Sequence, residues 1–102
     1  MIKHVVLFKF KSNVTENDKL KLEQGLGALP SVISEIKEYE FGRNIVKSER
    51  SFDFGLISGF EDPDALQRYN RHPHHLEVLK HIGEICDSIK SVDFESNEES
   101  RT

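Results

Sequence analysis

Four stretches of the chain have the composition or the alternation of β-strands. Residues 2–11 are rich in β-branched and aromatic side chains and apolar on both faces at mid-strand, as in a sheet covered on both sides. Residues 37–46 and 52–61 alternate between apolar and polar positions, and residues 89–95 form a last strand. The polar residues 47–51 are expected to join the second and third strands as a hairpin.

Helical spacing fills the gaps between these strands. Thr15 is expected to cap a first helix that ends at Pro30, and a short helical turn is expected to follow. Asp62 or Asp64 should cap a second helix, and a third should begin after Pro73. The apolar positions assigned to the three helices are Leu20, Leu22, Leu26 and Leu29, then Ala65, Leu66 and Tyr69, then Leu76, Leu79, Ile82 and Cys86.

The order of these elements predicts an α+β fold of the ferredoxin-like type, β-α-β-β-α-β, in one domain over residues 1–102. We expect residues 96–102 to form a frayed tail. Helices on one face leave the other face of the sheet uncovered, with apolar side chains that a soluble monomer rarely exposes. A symmetric homodimer, sheet against sheet, is the predicted solution. The side chains on that face are Val5, Leu7, Ile57 and Val92.

Composition narrows the classes of partner. A net charge of -4 argues against nucleic acid, which requires a dense basic surface. The single cysteine, Cys86, excludes an internal disulfide, fits a reducing compartment and is expected to be a buried filler. The sequence contains neither a signal-peptide pattern nor an apolar run that could span a membrane. We therefore expect a cytoplasmic protein without a membrane partner.

The segment from Tyr69 to His75 contains three histidines and a tyrosine, and a further histidine, His4, lies in the apolar first strand. Histidine titrates near neutral pH, so this cluster is where acid–base chemistry or metal binding would be sought. His72 precedes a proline and is interpreted as structural. His74 and the more distant His81 are expected to be exposed.

Several motifs, in order, resemble the stress-responsive A/B barrel family. They are residues 3–11, Phe41-Gly42-Arg43-Asn44, Phe60-Glu61-Asp62, Tyr69-x-x-His72-Pro73-x-His75 and Val92-Asp93-Phe94. The resemblance covers residues 2–95. It implies a ferredoxin-like subunit and a homodimer whose two sheets form one α+β barrel, but it does not imply a single function.

One plant member of that family is a polyketide cyclase. By resemblance, His75 and Tyr69 would be its acid–base pair here, with His4 and Asp93 nearby. Where the cyclase has another histidine in its third strand, this chain has Phe54. Residues 25–28, Gly-Leu-Gly-Ala, replace the bulky aromatic side chains of an alkyl-binding tunnel. Some plant members also hold a cation on backbone carbonyls, at positions that match Pro30, Ile33 and Ile36.

The two histidines His75 and His4 also have structural interpretations. His75 could bond the backbone or an acidic side chain at a helix start, and His4 could be a core histidine paired with Asp93. The histidines of the cluster do not have the spacing that a zinc site usually requires. We expect no cofactor. Three functional classes remain: a dimeric stress-associated protein of uncharacterised function with a small-molecule pocket, a cofactor-free lyase or cyclase that acts on a carbonyl substrate, and a structural oligomer.

Overall fold

The computed structural model describes residues 1–97. Its elements are β1 (Ile2–Phe10), α1 (Glu16–Val32), β2 (Glu38–Arg43), β3 (Phe54–Phe60), α2 (Pro63–Arg71), α3 (Pro73–Ile85) and β4 (Cys86–Glu95). The four strands form one antiparallel sheet in the order β2-β3-β1-β4. This arrangement confirms the predicted ferredoxin-like α+β fold. Most of the predicted tail, residues 98–102, lies outside the described residues.

Two predicted helix caps form as expected. The Thr15 hydroxyl accepts a hydrogen bond from the Asp18 N–H at 3.1 Å, and the Asp18 carboxylate accepts one from the Thr15 N–H at 3.0 Å. This reciprocal pair is a capping box, which satisfies two backbone groups at the start of α1. Asp62, rather than Asp64, caps α2, because its carboxylate accepts from the Ala65 N–H at 2.8 Å.

The predicted end of the first helix was wrong. Helix α1 continues past Pro30 to Val32, because a proline this near the C-terminus removes a single intrahelical hydrogen bond. The last turn is completed by the Ile33 N–H, which donates to the Leu29 carbonyl at 2.9 Å.

The third helix and the last strand also differ from expectation. Cys86 was assigned to α3 but is extended and begins β4, three residues before the predicted start. No loop separates the two elements, since the residue that caps the helix also pairs with Phe10 in the sheet. Leu76 and Leu79, two of the apolar positions assigned to this helix, are exposed.

The side chains of strand β1 alternate between the two faces of the sheet. Its even-numbered side chains, including Val6 and Phe8, lie under the helices, and we call this the covered face. Its odd-numbered residues lie on the opposite side, which we call the open face. There Val5 pairs with Ile57 on β3 and with Val92 on β4. Leu7, Ile57 and Val92 are exposed, so the predicted apolar patch is present.

Candidate ligand site on the covered face

A cavity of about 220 Å³ lies between the covered face and the helices. One part of its wall is apolar and is formed by strands β1, β3 and β4 and by helices α1 and α3. The apolar lining residues are Val6, Phe8, Leu26, Leu56, Leu79, Ile82 and Ile89. The polar lining residues are His4, Tyr69, Asn70, His75 and Ser91. A largely apolar pocket with a few convergent polar groups is typical of small-molecule sites.

His4 and Asp93 are direct cross-strand neighbours on β1 and β4. The His4 ring is mostly buried, and its Nδ1 is hydrogen-bonded to the Asp93 carboxylate. A carboxylate accepts, so Nδ1 carries a proton and the other ring nitrogen, Nε2, is left for a different partner. The interpretation of His4 as a histidine oriented by Asp93 therefore has the expected geometry.

The corner between α2 and α3 brings Tyr69 and His75 together. His72 forms this corner: it is extended, and its ring Nδ1 accepts from the His74 N–H at 3.2 Å to cap α3. The rings of Tyr69 and His75 have centroids 4.2 Å apart, and the rings of His4 and Tyr69 have centroids 6.1 Å apart. Three predicted site residues thus converge on the cavity, although His4 is distant in sequence from the other two.

His75 is buried at the start of α3, and its Nδ1 donates to the Asn70 main-chain carbonyl at 3.2 Å. Burial lowers the pKa of His75, and the nearby His4 and His72 lower it further, while the bond to Asn70 partly opposes the shift. The ring is therefore neutral near pH 7. Since Nδ1 holds the proton, the unprotonated Nε2 is the nitrogen that can accept one.

Tyr69 has the complementary property. Its side chain is fully buried, and burial raises the pKa of its phenol to about 12. The phenol therefore keeps its proton at neutral pH and can donate a hydrogen bond. A neutral imidazole that accepts a proton and a phenol that donates one, side by side in an apolar cavity, form an arrangement suited to acid–base chemistry on an oxygen-bearing molecule.

Two polar residues of the cavity, Asn70 and Ser91, were not predicted from the sequence. Ser91 precedes Asp93 by two residues on β4, so strand alternation alone could have placed it on the covered face. Asn70 carried no comparable signal, because its contact with His75 uses a main-chain carbonyl and depends on the helix corner.

A row of polar side chains also crosses the covered face: Tyr39, Ser58, His4 and Asp93 occupy paired positions on the four strands. Ser58 is buried, and its hydroxyl donates to the His4 carbonyl at 3.4 Å. The Tyr39 hydroxyl is buried without a hydrogen-bond partner among residues 1–97. Burial raises the pKa of Tyr39 strongly.

The other histidines stand apart from the cavity. His74 is exposed, as predicted, and its ring stacks on that of His72. The prediction for His81 was wrong: it is half-buried, and its Nε2 donates to the Asp18 carbonyl at 3.1 Å, which ties α3 to the start of α1. Within the described part of the chain, no three histidine, cysteine or acidic residues lie close enough together to hold a metal ion.

The backbone carbonyls of Pro30, Ile33 and Ile36 lie at the C-terminal end of α1 and in the turn before β2. The Ile33 carbonyl accepts a hydrogen bond from the Ile36 N–H at 3.3 Å, which occupies one of its two lone pairs. Carbonyl oxygens are suitable ligands for hard cations. A cation site at these three residues stays a prediction.

Comparison with known proteins identifies the family. The model for the stress-responsive A/B barrel domain matches residues 2–96, nearly the whole chain. The chain belongs to the stress-responsive A/B barrel family. This finding confirms the resemblance of the motifs in the strands and at the helix corner. Within residues 1–97, no helix has both the length and the apolar content that crossing a membrane requires.

Relatives in this family differ in what is known of them. An uncharacterised protein of Streptomyces coelicolor is 35% identical over 77 residues, which are 74% of this chain and 79% of that protein. A stress-response A/B barrel protein of Arabidopsis thaliana is 30% identical over 92% of this chain and 36% of its own length. Olivetolic acid cyclase of Cannabis sativa is 26% identical over 74% of this chain and 76% of the cyclase.

Solved structures share the fold. A dimeric ferredoxin-like protein of unknown function from Bacteroides fragilis is 32% identical with a TM-score of 0.80, over 93% of this chain and 95% of that one. A hydroxynitrile lyase from Passiflora edulis is 21% identical with a TM-score of 0.85, over 95% of this chain and 94% of the lyase. At that identity the lyase shows the fold alone.

Proposed function

We propose that this member of the stress-responsive A/B barrel family binds a small molecule in the cavity on the covered face, next to His75 and Tyr69. One observation carries the proposal: a buried, neutral His75 is held by the Asn70 carbonyl with its ring 4.2 Å from that of Tyr69, and both line an apolar cavity. Polar side chains with shifted pKa values that converge in a largely apolar cavity are typical of ligand sites, which supports the proposal.

A second candidate function is catalysis without a cofactor on a carbonyl-bearing substrate, as in a lyase or cyclase. In this scheme the Nε2 of His75 removes a proton next to the carbonyl, and the Tyr69 hydroxyl donates a hydrogen bond to the carbonyl oxygen. His4, oriented by Asp93, would hold the substrate from the sheet side. The relative named as a cyclase supports the class of chemistry.

The same chemistry on a long polyketide has less support. Phe54, at the position of the cyclase's additional histidine, is buried in an aromatic cluster with Phe8, Phe10 and Phe41. It contributes neither a base nor an acid. A cavity of about 220 Å³ is also smaller than the roughly 300–1,000 Å³ of typical ligand pockets. A compact substrate therefore fits the site better.

We further propose that the chain forms a homodimer through the open face. Its exposed apolar side chains would be covered by the same face of a second copy, which is how a two-fold interface is built. The Bacteroides fragilis protein of the same fold is dimeric, which supports this arrangement. Light scattering distinguishes it from the structural-oligomer alternative, which requires a mass above that of a dimer.

The test of the binding site is a thermal-shift screen of small carbonyl metabolites against the wild type, Tyr69→Phe and His75→Ala. We expect ligands that raise the wild-type melting temperature to lose their effect in His75→Ala and to bind more weakly to Tyr69→Phe. His74→Ala is the matched control, because His74 is one residue away on the same helix but exposed. The proposal fails if both site variants respond to every ligand as the wild type does.

A further inference from the structure

Asn70 takes part in the site through both its main chain and its side chain. Its main-chain carbonyl holds the His75 ring, while its side chain is half-buried and lines the cavity. Among the residues that the structure describes, none forms a hydrogen bond with the Asn70 carboxamide. A carboxamide offers two donors and an acceptor, so it can bond to either a carbonyl or a hydroxyl oxygen of a ligand.

Ser91 adds a further polar group to the same cavity from the sheet. It lies opposite Val6 on β4 and lines the cavity, and no residue in the described range 1–97 bonds its hydroxyl. Asn70 and Ser91 therefore supply hydrogen-bonding capacity in addition to that of the His75–Tyr69 pair. A ligand with a single oxygen would leave part of this capacity to water.

The charges around the cavity limit the ligand further. The residues that line it include no lysine, arginine, aspartate or glutamate. The carboxylate of Asp93 lies nearby but is bound by His4. A carboxylate or phosphate on the ligand would meet hydroxyl and amide groups, the neutral His75 and apolar side chains, but no lysine or arginine. Burying a charge without an opposite charge beside it is costly.

We propose that Asn70 is a second ligand-binding residue of this site, and that the ligand is a compact, uncharged molecule with an apolar body and two oxygen functions. One oxygen lies at Tyr69 and His75, and the other is bound by the Asn70 carboxamide. The inference rests on the proposed function, because it assigns a substrate class and a specificity residue to the same cavity.

Three probes with one carbon ring test this assignment: 4-hydroxycyclohexanone, cyclohexanone and 4-oxocyclohexanecarboxylate, each titrated by NMR. In the wild type, we expect the hydroxyketone to bind about fivefold more tightly than cyclohexanone, as one additional hydrogen bond of roughly 1 kcal/mol provides. The carboxylate should bind more weakly than either neutral probe.

The variant Asn70→Ala separates the side chain from the main chain. Because the carbonyl that holds His75 remains, the His75 ring-nitrogen shifts and their pH dependence should stay as in the wild type. The preference for the hydroxyketone over cyclohexanone should disappear. Asn70→Leu, which keeps a similar volume without hydrogen bonds, should behave like Asn70→Ala.

The outcomes distinguish this inference from the proposed function. If Asn70→Ala keeps the fivefold preference, or if the carboxylate binds as tightly as the neutral probes, the inference is wrong while the cavity remains a binding site. If the wild type binds none of the three probes and no metabolite in the thermal-shift screen, the proposed site and the inference are both wrong.

Discussion

The two faces of the sheet differ in how far they expose neighbouring residues of the same strand. Phe8 is 2% exposed on the covered face, whereas its neighbour Leu7 is 41% exposed on the open face. The covered face holds the core, the row of polar side chains and the cavity. The open face holds an apolar patch and, at its edge, the ion pair between Lys3 and Glu38. Alternation along one strand thus places the proposed ligand site and the proposed dimer interface on opposite faces of the sheet.

The histidine rings on the covered face have defined hydrogen-bond partners, unlike an exposed histidine. The exposed ring of His74 stacks on that of His72 and is open to water, whereas the buried His75 donates from its Nδ1 to the Asn70 carbonyl. His4 likewise has Asp93 as its partner. Each of these two rings is held through the hydrogen bond of its Nδ1, and the two bonds fix the ring orientations in the site.

Of the two neighbours Phe8 and Leu7, we expect substitution of the buried Phe8 to change the stability most. Phe8→Ala should lower the free energy of unfolding by about 3–5 kcal/mol, because it leaves a cavity in a packed aromatic cluster. Leu7→Ala should instead change the dependence of stability on protein concentration, since Leu7 lies at the proposed dimer interface. Urea unfolding at two protein concentrations measures both. Equal, concentration-independent losses would contradict the division into two faces.

Charge on the open face should abolish the dimer. Ile57→Lys places an ammonium group at the centre of the apolar patch, opposite Val5. We expect light scattering to give the mass of a dimer for the wild type and the mass of one 11.8 kDa chain for the variant. Leu76→Lys is the control, because Leu76 is also exposed but lies on α3. A dimeric Ile57→Lys protein would exclude this interface.

Stability should depend on pH through His75. Its folded-state pKa lies below the ordinary value of 6.5, so the unfolded chain takes up a proton more readily than the folded chain. The stability present above about pH 6.5 should therefore decrease as the pH falls through the lower, folded pKa. Unfolding measured across this range should give a flatter curve for His75→Gln, and an unchanged one for His74→Gln. Identical curves for wild type and His75→Gln would show that burial does not disfavour the charged ring.

We expect the smallest change in stability from a substitution of Tyr39. Its hydroxyl is buried without a partner in the described range, so Tyr39→Phe should raise the free energy of unfolding by about 1 kcal/mol. Tyr69→Phe provides the comparison: the Tyr69 side chain lines the cavity, where water or a ligand can bond the hydroxyl, so we expect little gain. A destabilised Tyr39→Phe protein would reveal a hydrogen bond to that hydroxyl.

Much of the fold was predictable because its signals are local. Thr15 and Asp62 cap helices within three residues of themselves, and alternation in β1 assigns each side chain to a face. The boundary between α3 and β4 was missed because Cys86 is apolar at helical spacing, yet its pairing with Phe10 decides its conformation. Local patterns do not contain such tertiary contacts.

The site was predictable only in part for the same reason. Its histidines and Tyr69 stood out by residue type and by family motif. The partner of His81 could not be foreseen, since it is a carbonyl at the start of a distant helix. Asn70 acts on His75 through its main chain, which every residue type possesses, so no sequence pattern marks it.

The most direct test of the central claim is a long-range ¹H–¹⁵N NMR spectrum of the histidine rings at pH 7, recorded while 4-hydroxycyclohexanone is added. We predict a neutral His75 with its proton on Nδ1, and a shift of its Nε2 resonance on ligand addition, while His74 and His81 stay unchanged. A protonated His75, a proton on Nε2, or a His75 ring that does not respond to a bound probe would contradict the account.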